Sequence, residues 1–418
     1  MFAANMDVHD LLLIDDRGRC FSGAIDCKAG QHGLGPTLDD EVAACAAQLD
    51  AVRVALGYDQ VDHYGGSYGG VDVIAYATRF GNHLRSVILD SPTGPPDLEW
   101  YIGQHYFASS APSREIRLDC LRSSTCANDH PNPDAEFARL IEDVRKRAVQ
   151  GYAYDANGNL VPVDLDEVGL LNLVMNQGES SAIVEGGELL AAAHSLRHGD
   201  GLPLLRLGAE AVSSAATDYG DPKLLSLGAE GATACVDTQM PYDWSVPPPQ
   251  RLPQLAEAVS DLPADCFAPF AKFAYNQLDT NGVSNSAPRL CLFWEEASTP
   301  PPVVPPGASY PSMPTLVFSG DIDASVPDEE SRRVAALFPA STFLVVTEGL
   351  REPAEVSQCA LSLITNLIET LQVGDTSCLK TPEVIYPALG RFPLLAEDAM
   401  PVQIDPAGGN QVGLRSMP

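Results

Sequence analysis

The sequence predicts an α/β protein with a mostly parallel sheet, flanking helices and a helical insertion that divides the sheet-forming part of the chain. Two observations lead to this prediction. Short apolar runs alternate with amphipathic helical segments before residue 95 and again after residue 305, an alternation typical of parallel sheets. The long stretch between these parts has mostly the apolar spacing of helices.

The first sheet-forming part contains three predicted strands and two predicted helices. The strands are Asp10–Asp15, an apolar run between acidic residues, then Val61–Tyr64 and Leu84–Leu89. The helices are Leu38–Leu56, where apolar residues recur at helical spacing, and Tyr68–Phe80, which is followed by a glycine. Strands and helices that follow one another in this order are typical of a parallel sheet.

The insertion is predicted to be a mostly helical cap over an active site, with Glu188–Leu196 as one of its helices. It ends in a stiff proline-rich connector over Ser298–Gly307. The alternation of strand and helix then resumes with Thr315–Phe318, Glu329–Leu337, Thr342–Val346 and Val356–Leu371.

These elements divide the chain of 418 residues into four parts. Residues 1–95 and 306–385 are the two halves of one core domain, and residues 96–305 are the cap. Residues 386–418 have little periodicity and are predicted to be a surface tail.

The chain is strongly acidic, with 25 basic and 56 acidic residues and a formal net charge of −31. Such a charge repels nucleic acid and anionic membranes, so we expect neither as a partner. No apolar run approaches the roughly 20 residues of a membrane-spanning helix. The first residues lack the basic and apolar regions of a signal peptide.

The chain has ten cysteines, and none of them forms a Cys-x-x-Cys pair or has the spacing of a zinc site with histidine. We therefore expect no metal site. Scattered cysteines without metal spacing favour disulfides and thus an oxidising compartment. The sequence in this way predicts a secreted or cell-envelope protein, although it shows no export signal.

One short motif points to nucleophilic chemistry. Gly65-Gly66-Ser67-Tyr68-Gly69 has the form Gly-x-Ser-x-Gly and lies between a predicted strand and a predicted helix. In that context the motif is a nucleophile elbow, a sharp turn that holds a serine in a strained, exposed conformation. We expect glycine two residues before and two residues after the serine because a Cβ there would collide with the neighbouring strand and helix.

A nucleophilic serine needs an acid and a base, which in the α/β-hydrolase arrangement follow it in the order Asp, His. The loop after the strand at Thr315–Phe318 contains two candidate acids. Asp323 is the better placed in the turn, and Asp321 is the second candidate. A solvated acidic turn is the structural alternative.

The base is missing from its expected position. The loop after the strand at Thr342–Val346 contains no histidine, and none of the eight histidines follows Asp323. Arg351 in that loop stays protonated and cannot accept a proton from serine. Glu348 and Glu352 are carboxylates with a pKa poorly matched to a serine hydroxyl.

Three histidines elsewhere in the chain remain as alternatives for the base. His63 lies on the strand that enters the elbow, where a packed histidine is the expectation. His194 and His198 are in the predicted cap and reach the serine only if the cap folds over it.

With the elbow, the acid loop and the cap in place, the chain resembles the proline iminopeptidase and tripeptidyl aminopeptidase branch of the α/β-hydrolases. It is most similar to the secreted actinobacterial type with a tripeptidyl-aminopeptidase-like C-terminal region. The resemblance runs from residue 9 to about residue 380. The matching stretches are His9–Gly18, Ile25–Cys27, Ala51–Tyr58, Gly65–Gly70, Ala232–Asp237, Cys291–Trp294, Gly320–Asp323 and Gly374–Cys378.

The resemblance implies a cofactor-free serine exopeptidase that releases short peptides or single residues from free N-termini, with a peptide or a small ester or amide as substrate. It makes Ser67 the nucleophile, Asp323 the triad acid and the backbone N–H of Tyr68 an oxyanion donor. It also implies disulfides of Cys27 with Cys45 and of Cys359 with Cys378, and it allows Cys120 with Cys126 and Cys235 with Cys291. Cys20 and Cys266 are then left over.

Two departures from the family pattern concern the chemistry. Relatives carry a His-Gly-Gly-Pro-Gly type loop before the strand that here begins at Asp10, and the sequence lacks it. Arg351 stands where relatives have a histidine. We therefore expect weak or no hydrolysis by this chain. The alternative is a non-catalytic homologue, either a peptide-binding protein or a decayed gene product.

Overall fold

The computed structural model describes residues 10, 50, 52–94, 100–154, 159–175, 186–209, 235, 240–263, 267–272, 291–293, 303–380, 384–385 and 405–406. The predicted strand over Asp10–Asp15 and most of the predicted helix over Leu38–Leu56 lie outside these residues, although residues 52–56 are helical.

The described elements are, in chain order, β1 (Val61–Gly66), α1 (Gly69–Phe80), β2 (Leu84–Asp90), α2 (Trp100–Arg122), α3 (Ser124–Asp129), α4 (Pro133–Lys146), β3 (Val149–Tyr154), β4 (Leu160–Leu165), α5 (Glu167–Met175), α6 (Gly186–Arg197), α7 (Pro248–Asp261), β5 (Thr315–Gly320), α8 (Asp328–Ala335), β6 (Ser341–Val346), α9 (Gln358–Thr370), β7 (Val384–Ile385) and β8 (Asp405–Pro406). Among these helices, none has the length and apolar character required to cross a bilayer.

The central sheet joins the two halves of the chain that the insertion separates. Its described strands are all parallel and lie in the order β1, β2, β5, β6. The junction is the β2–β5 pair, in which Val87 is opposite Thr315 and Asp90 is opposite Phe318. The parallel sheet with helices on both faces confirms the predicted fold class.

The two faces of the sheet bury different helices because side chains alternate along a strand. On one face, Val87, Leu89 and Val317 pack with apolar residues of α1 and α8. On the other face, Ile88 and Phe318 pack with apolar residues of α9. Buried on both faces, β2 and β5 therefore read as continuous apolar runs, which is the pattern that predicted them.

The helix boundaries follow from capping. The Ser357 side chain accepts a hydrogen bond from the amide of Ala360 and begins α9, and Leu371 ends it with a φ of 59°. α8 carries three acidic residues in its first turn and two arginines in its last turn, in agreement with the helix dipole.

The insertion has its own hydrophobic core, which extends from Ile116 to Leu292 along the chain. It is less uniformly helical than predicted, because β3 and β4 form an antiparallel hairpin in which Tyr152 is opposite Pro162. The division of the chain at residues 95, 305 and 385 stays a prediction. In the predicted tail, the described residues Asp405–Pro406 pair with Val384–Ile385.

Three of the expected disulfides form in the structure. Cys120 is bonded to Cys126 and Cys235 to Cys291 in the insertion, and Cys359 is bonded to Cys378 beside α9. The expected pair of Cys27 with Cys45 and the leftover Cys20 and Cys266 lie outside the described residues. Disulfides are compatible with an extracellular location.

Candidate active site

Ser67 sits in a sharp turn between β1 and α1. Its φ of 49° is positive, a conformation that residues other than glycine rarely adopt. Three hydrogen bonds hold it there: the Ser67 amide donates to the backbone oxygen of Asp90 over 2.9 Å, and the amides of Gly70 and Thr93 donate to the Ser67 carbonyl over 3.0 and 2.9 Å. The predicted strained turn is therefore present, but the expectation of an exposed serine was wrong, because Ser67 is only 8% exposed.

The glycines of the elbow differ in the space that is available for a Cβ at their positions. A Cβ at Gly65 would lie 2.5 Å from the carbonyl oxygen of Gly69 and 2.7 Å from Cγ2 of Val73, so glycine is required there. A Cβ at Gly69 would meet nothing within 4 Å, so the expectation of a collision at that position was wrong. The close approach occurs one residue later, where a Cβ at Gly70 would lie 2.7 Å from the Thr93 carbonyl oxygen.

This difference gives a matched pair of variants. We expect Gly65→Ala to lower the free energy of unfolding by about 1–3 kcal/mol, because the added methyl must displace helix backbone. Gly69→Ala should change it by no more than about 1 kcal/mol, since the space is open and alanine favours the helix. Urea unfolding of both variants measures the difference. Equal losses would contradict the assignment of the close contact to Gly65.

Arg351 occupies the position next to the serine where a base is required. Its Nη2 atom donates a hydrogen bond to Oγ of Ser67 over 2.6 Å. In the described residues, no imidazole or carboxylate group is hydrogen-bonded to Ser67 Oγ. A guanidinium group has donors only, so the hydroxyl is an acceptor in this pair and its proton has no base there.

The loop that carries Arg351 is held against the sheet by backbone contacts. The amide of Ile322 donates to the carbonyl oxygen of Gly349 over 3.1 Å. Gly320 permits this approach, because a Cβ at Gly320 would overlap the carbonyl oxygens of Gly349 and Leu350. On the other side of Arg351, the amide of Glu352 donates to Oγ of Ser91 over 3.1 Å.

Backbone strain is concentrated at this site. Four of the non-glycine residues with positive φ lie on the three loops that meet here, which follow β1, β2 and β6, namely Ser67, Ser91, Glu348 and Glu352. Each such residue costs of the order of 1–3 kcal/mol, and strain of this kind clusters at functional sites. The three loops are thus fixed in unfavourable conformations in which Ser67 and Arg351 meet.

Asp90 forms hydrogen bonds that connect these loops. It ends β2, is fully buried, and accepts hydrogen bonds from the Tyr64 hydroxyl and from the amide of Ala354, both over 3.1 Å. Burial raises the pKa of Asp90 well above its usual value, which favours the protonated form. The sequence analysis did not identify this residue.

The two candidate acids have different environments. Asp323 is 1% exposed, and its Oδ1 atom accepts hydrogen bonds from the amides of Ser325 and Val326. Asp321 is partly exposed and forms an ion pair with Arg122 over 2.6 Å. Asp323 therefore stays the candidate triad acid, because Asp321 is engaged by a helix of the insertion.

Two further acids that were not predicted from the sequence lie in the insertion, and the charge of Asp323 acts on one of them, Glu115. Glu115 and Asp119 of α2 are both buried. Burial, together with the charges of Asp119 and Asp323, raises the pKa of Glu115 well above its usual value. Their spacing of four residues puts them on one helix face. That spacing is the available signal, but the sequence does not show which element faces them.

The other candidate bases contact groups other than the Ser67 hydroxyl. Glu348 is buried and forms an ion pair with Arg122, and burial raises its pKa. The Glu352 carboxylate lies against Gly66, where a Cβ would be 2.5 Å from its Oε1 atom. His63 packs edge-on against Tyr76 with ring centroids 5.5 Å apart, and burial lowers its pKa to about 4.

The remaining histidine candidates lie in the insertion. The rings of His194 and His198 are 4.3 Å apart at the end of α6, and Nδ1 of His198 is hydrogen-bonded to the His194 carbonyl oxygen. No contact links either ring to Ser67 in the described residues. Across the same described residues, no group of three or more His, Cys, Asp or Glu side chains is placed to hold a metal ion.

A known family model matches about a quarter of the chain. The family described as TAP-like protein matches residues 278–378, which include β5, β6 and the loop of Arg351. No curated protein matches the sequence.

Among solved structures, a thermophilic esterase from Thermogutta terrifontis is 14% identical, with 81% of this chain and 73% of that chain covered and a TM-score of 0.28. An α/β hydrolase fold protein from Nakamurella multipartita is 14% identical, with 80% and 76% covered and a TM-score of 0.30. Likenesses with TM-scores this low are not evidence of a shared fold or activity. The parallel sheet with helices on both faces and the strained turn at Ser67 after β1 are those of the α/β-hydrolase fold.

Proposed function

We propose that this α/β-hydrolase-fold protein has the scaffold of an aminopeptidase-type serine hydrolase, of the proline iminopeptidase and tripeptidyl aminopeptidase branch, and that it binds short peptides with slow hydrolysis or none. The match to the TAP-like protein family over residues 278–378 supports the branch. The strained serine at the end of β1 supports the hydrolase scaffold.

The observation that carries the proposal is the hydrogen bond from Arg351 to Ser67 over 2.6 Å. Attack by serine on a carbonyl requires a group that accepts the hydroxyl proton. Arginine cannot accept it, because its guanidinium stays protonated. Loss of the base costs about 10⁶-fold in turnover in the serine protease subtilisin, which corresponds to about 8 kcal/mol of activation free energy.

A hydrolase that is active through another base is the second candidate, since the elbow and the buried Asp323 are retained. It requires a base from residues outside those described. The disulfides beside α9 and in the insertion support a secreted or cell-envelope location for either candidate.

A fluorophosphonate probe tests the proposal, because it reacts with activated serines and needs no knowledge of the preferred peptide. We expect the wild-type protein to be labelled no more than about tenfold faster than Ser67→Ala, since an unactivated hydroxyl is a poor nucleophile. The label is quantified by mass spectrometry over hours. Rapid labelling of the wild type that is lost in Ser67→Ala would show that a base is present and would overturn the proposal.

A further inference from the structure

We propose that His194 and His198 form a two-histidine site at the end of α6 that binds a divalent transition-metal ion such as Zn²⁺. The site lies in the insertion and uses neither Ser67 nor Arg351, so the inference goes beyond the proposed function and does not depend on it. The expectation that the chain has no metal site rested on the spacing of its cysteines, which does not bear on two histidines of one helix end.

The positions of the two rings are compatible with binding of one ion by both. The histidines are four residues apart, and residues at this distance lie on the same face of a helix. Both are exposed, and their ring centroids are 4.3 Å apart with the planes tilted by 32°. Metal–nitrogen bonds of about 2.0–2.1 Å put the centres of two imidazoles that share an ion roughly 4.5–5 Å apart. A small rotation of the exposed rings is therefore enough for both to bind one ion.

A hydrogen bond fixes the tautomer of His198 in the form that a metal requires. Nδ1 of His198 lies 2.8 Å from the carbonyl oxygen of His194, which only accepts hydrogen bonds. Nδ1 therefore carries the hydrogen of the neutral ring, and Nε2 keeps its lone pair for an ion. A hydrogen bond from the second ring nitrogen to a backbone carbonyl is the usual support of a metal-binding histidine.

The protonation state of His194 also favours metal binding, because only a neutral imidazole is a ligand. Partial desolvation lowers the pKa of His194, and the charge of the neighbouring His198 lowers it further. Arg197 and His130 act in the same direction, whereas Glu136 opposes them. The neutral form of His194 is therefore favoured near neutral pH.

The charges around the pair permit a cation. Arg197 is the positive side chain next to His198 in the sequence, and it forms an ion pair with Glu136 over 3.0 Å, which balances its charge. The two histidines lie at the C-terminal end of the twelve-residue helix α6, where the helix dipole favours positive charge. The net charge of −31 attracts cations to the protein as a whole.

The ligand type selects the class of metal. Imidazole nitrogen suits Zn²⁺, Cu²⁺ and Ni²⁺, whereas Mg²⁺ and Ca²⁺ prefer oxygen ligands. Two protein ligands leave the other coordination positions to water, so we expect a dissociation constant for Zn²⁺ in the micromolar range, weaker than that of a structural site with four protein ligands. Cu²⁺ should bind more tightly than Zn²⁺, as is general for nitrogen ligands.

Isothermal titration calorimetry of the full chain with Zn²⁺ tests the inference. We expect about one equivalent of Zn²⁺ to bind in the micromolar range near neutral pH, and excess Mg²⁺ not to displace it. The affinity should fall as the pH is lowered through about 6, because protonated rings do not bind a metal. Binding that Mg²⁺ abolishes would indicate carboxylate ligands and would overturn the inference.

Substitutions distinguish binding by two rings from binding by one. His194→Ala and His198→Ala should each weaken the binding of Zn²⁺ by about tenfold or more, because either change leaves a single nitrogen ligand. His83→Ala is the control, since it removes a partly exposed histidine from the sheet-forming part of the chain, and it should retain the affinity. Unchanged affinity in either His194→Ala or His198→Ala would overturn the inference.

Nitrogen-15 NMR of the histidine rings tests the wild-type protein directly, so a variant that misfolds does not remove the test. With Zn²⁺ we expect Nε2 of both His194 and His198 to show the chemical shift of metal-bound nitrogen, while Nδ1 of His198 keeps its hydrogen. Absence of any Zn²⁺ binding below millimolar concentration, or binding that leaves the signals of these two rings unchanged, would show that the site does not exist.

Discussion

Arg351→His is expected to make Ser67 react with a fluorophosphonate at least about 100-fold faster than it does in the wild-type protein. The variant replaces a group that only donates to Ser67 Oγ with an imidazole that accepts its proton. Full recovery of the roughly 10⁶-fold effect of a triad base is not expected, because neighbouring side chains are adapted to arginine. The measurement is the second-order labelling rate from pH 5 to 9.

The pH dependence of the labelling rate distinguishes a serine that is activated by a base from a serine that has only lost its contact with Arg351. A histidine base acts in its neutral form, so labelling of Arg351→His should rise with pH through the range near 6.5 and then level off. Arg351→Gln is the matched control, since it removes the guanidinium without adding a base, and its labelling rate should rise little. If the labelling rate rises as much in Arg351→Gln as in Arg351→His, the missing base does not explain the low reactivity of Ser67.

The second large effect is expected at Asp90. Replacing Asp90 by alanine removes a buried acceptor that the buried Ala354 amide and the hydroxyl of the half-buried Tyr64 share. An unsatisfied buried donor costs about 1–3 kcal/mol, so we expect Asp90→Ala to lower the free energy of unfolding by about 2–4 kcal/mol. Guanidinium chloride unfolding, followed by circular dichroism, measures this loss.

Asp90→Asn is the matched control for that prediction. Burial raises the pKa of Asp90 well above its usual value and thereby favours its neutral form, which an amide resembles in shape and charge. Asparagine keeps an acceptor oxygen and the same shape, so its cost should be at most about 1 kcal/mol. A loss as large as that of the alanine variant would mean that Asp90 acts as a charged group.

Sequence patterns predicted the elements of the sheet well, for physical reasons. β2 and β5 are buried on both faces, and their central residues, Val87–Leu89 and Leu316–Phe318, are therefore apolar, which makes the strands visible in the sequence. The elbow was predictable because Gly65 is sterically required and Ser67 lies between a strand and a helix. The β3–β4 hairpin was missed, although Asn157-Gly158 between its strands is a strong hairpin signal.

The contacts between parts of the chain could not be predicted. Glu115 and Asp323 are more than 200 residues apart, and their proximity depends on how the insertion packs on the sheet. The ion pair of Arg122 with Asp321, which are 199 residues apart, depends on the same packing. The absence of a histidine near Arg351 was readable from the sequence, but the direct hydrogen bond to Ser67 depends on the loop conformation that Gly320 permits.

The strand order also determines how the chain is assembled during synthesis. β1 and β2 emerge from the ribosome early, but β2 has its second neighbour only when β5 is made, roughly 220 residues later. The edge of β2 that pairs with β5 stays open until then. Folding of the insertion before β5 emerges shortens the flexible loop that must close. We therefore expect the insertion to fold before the sheet is complete, and a chain that stops within it to expose an edge prone to aggregation.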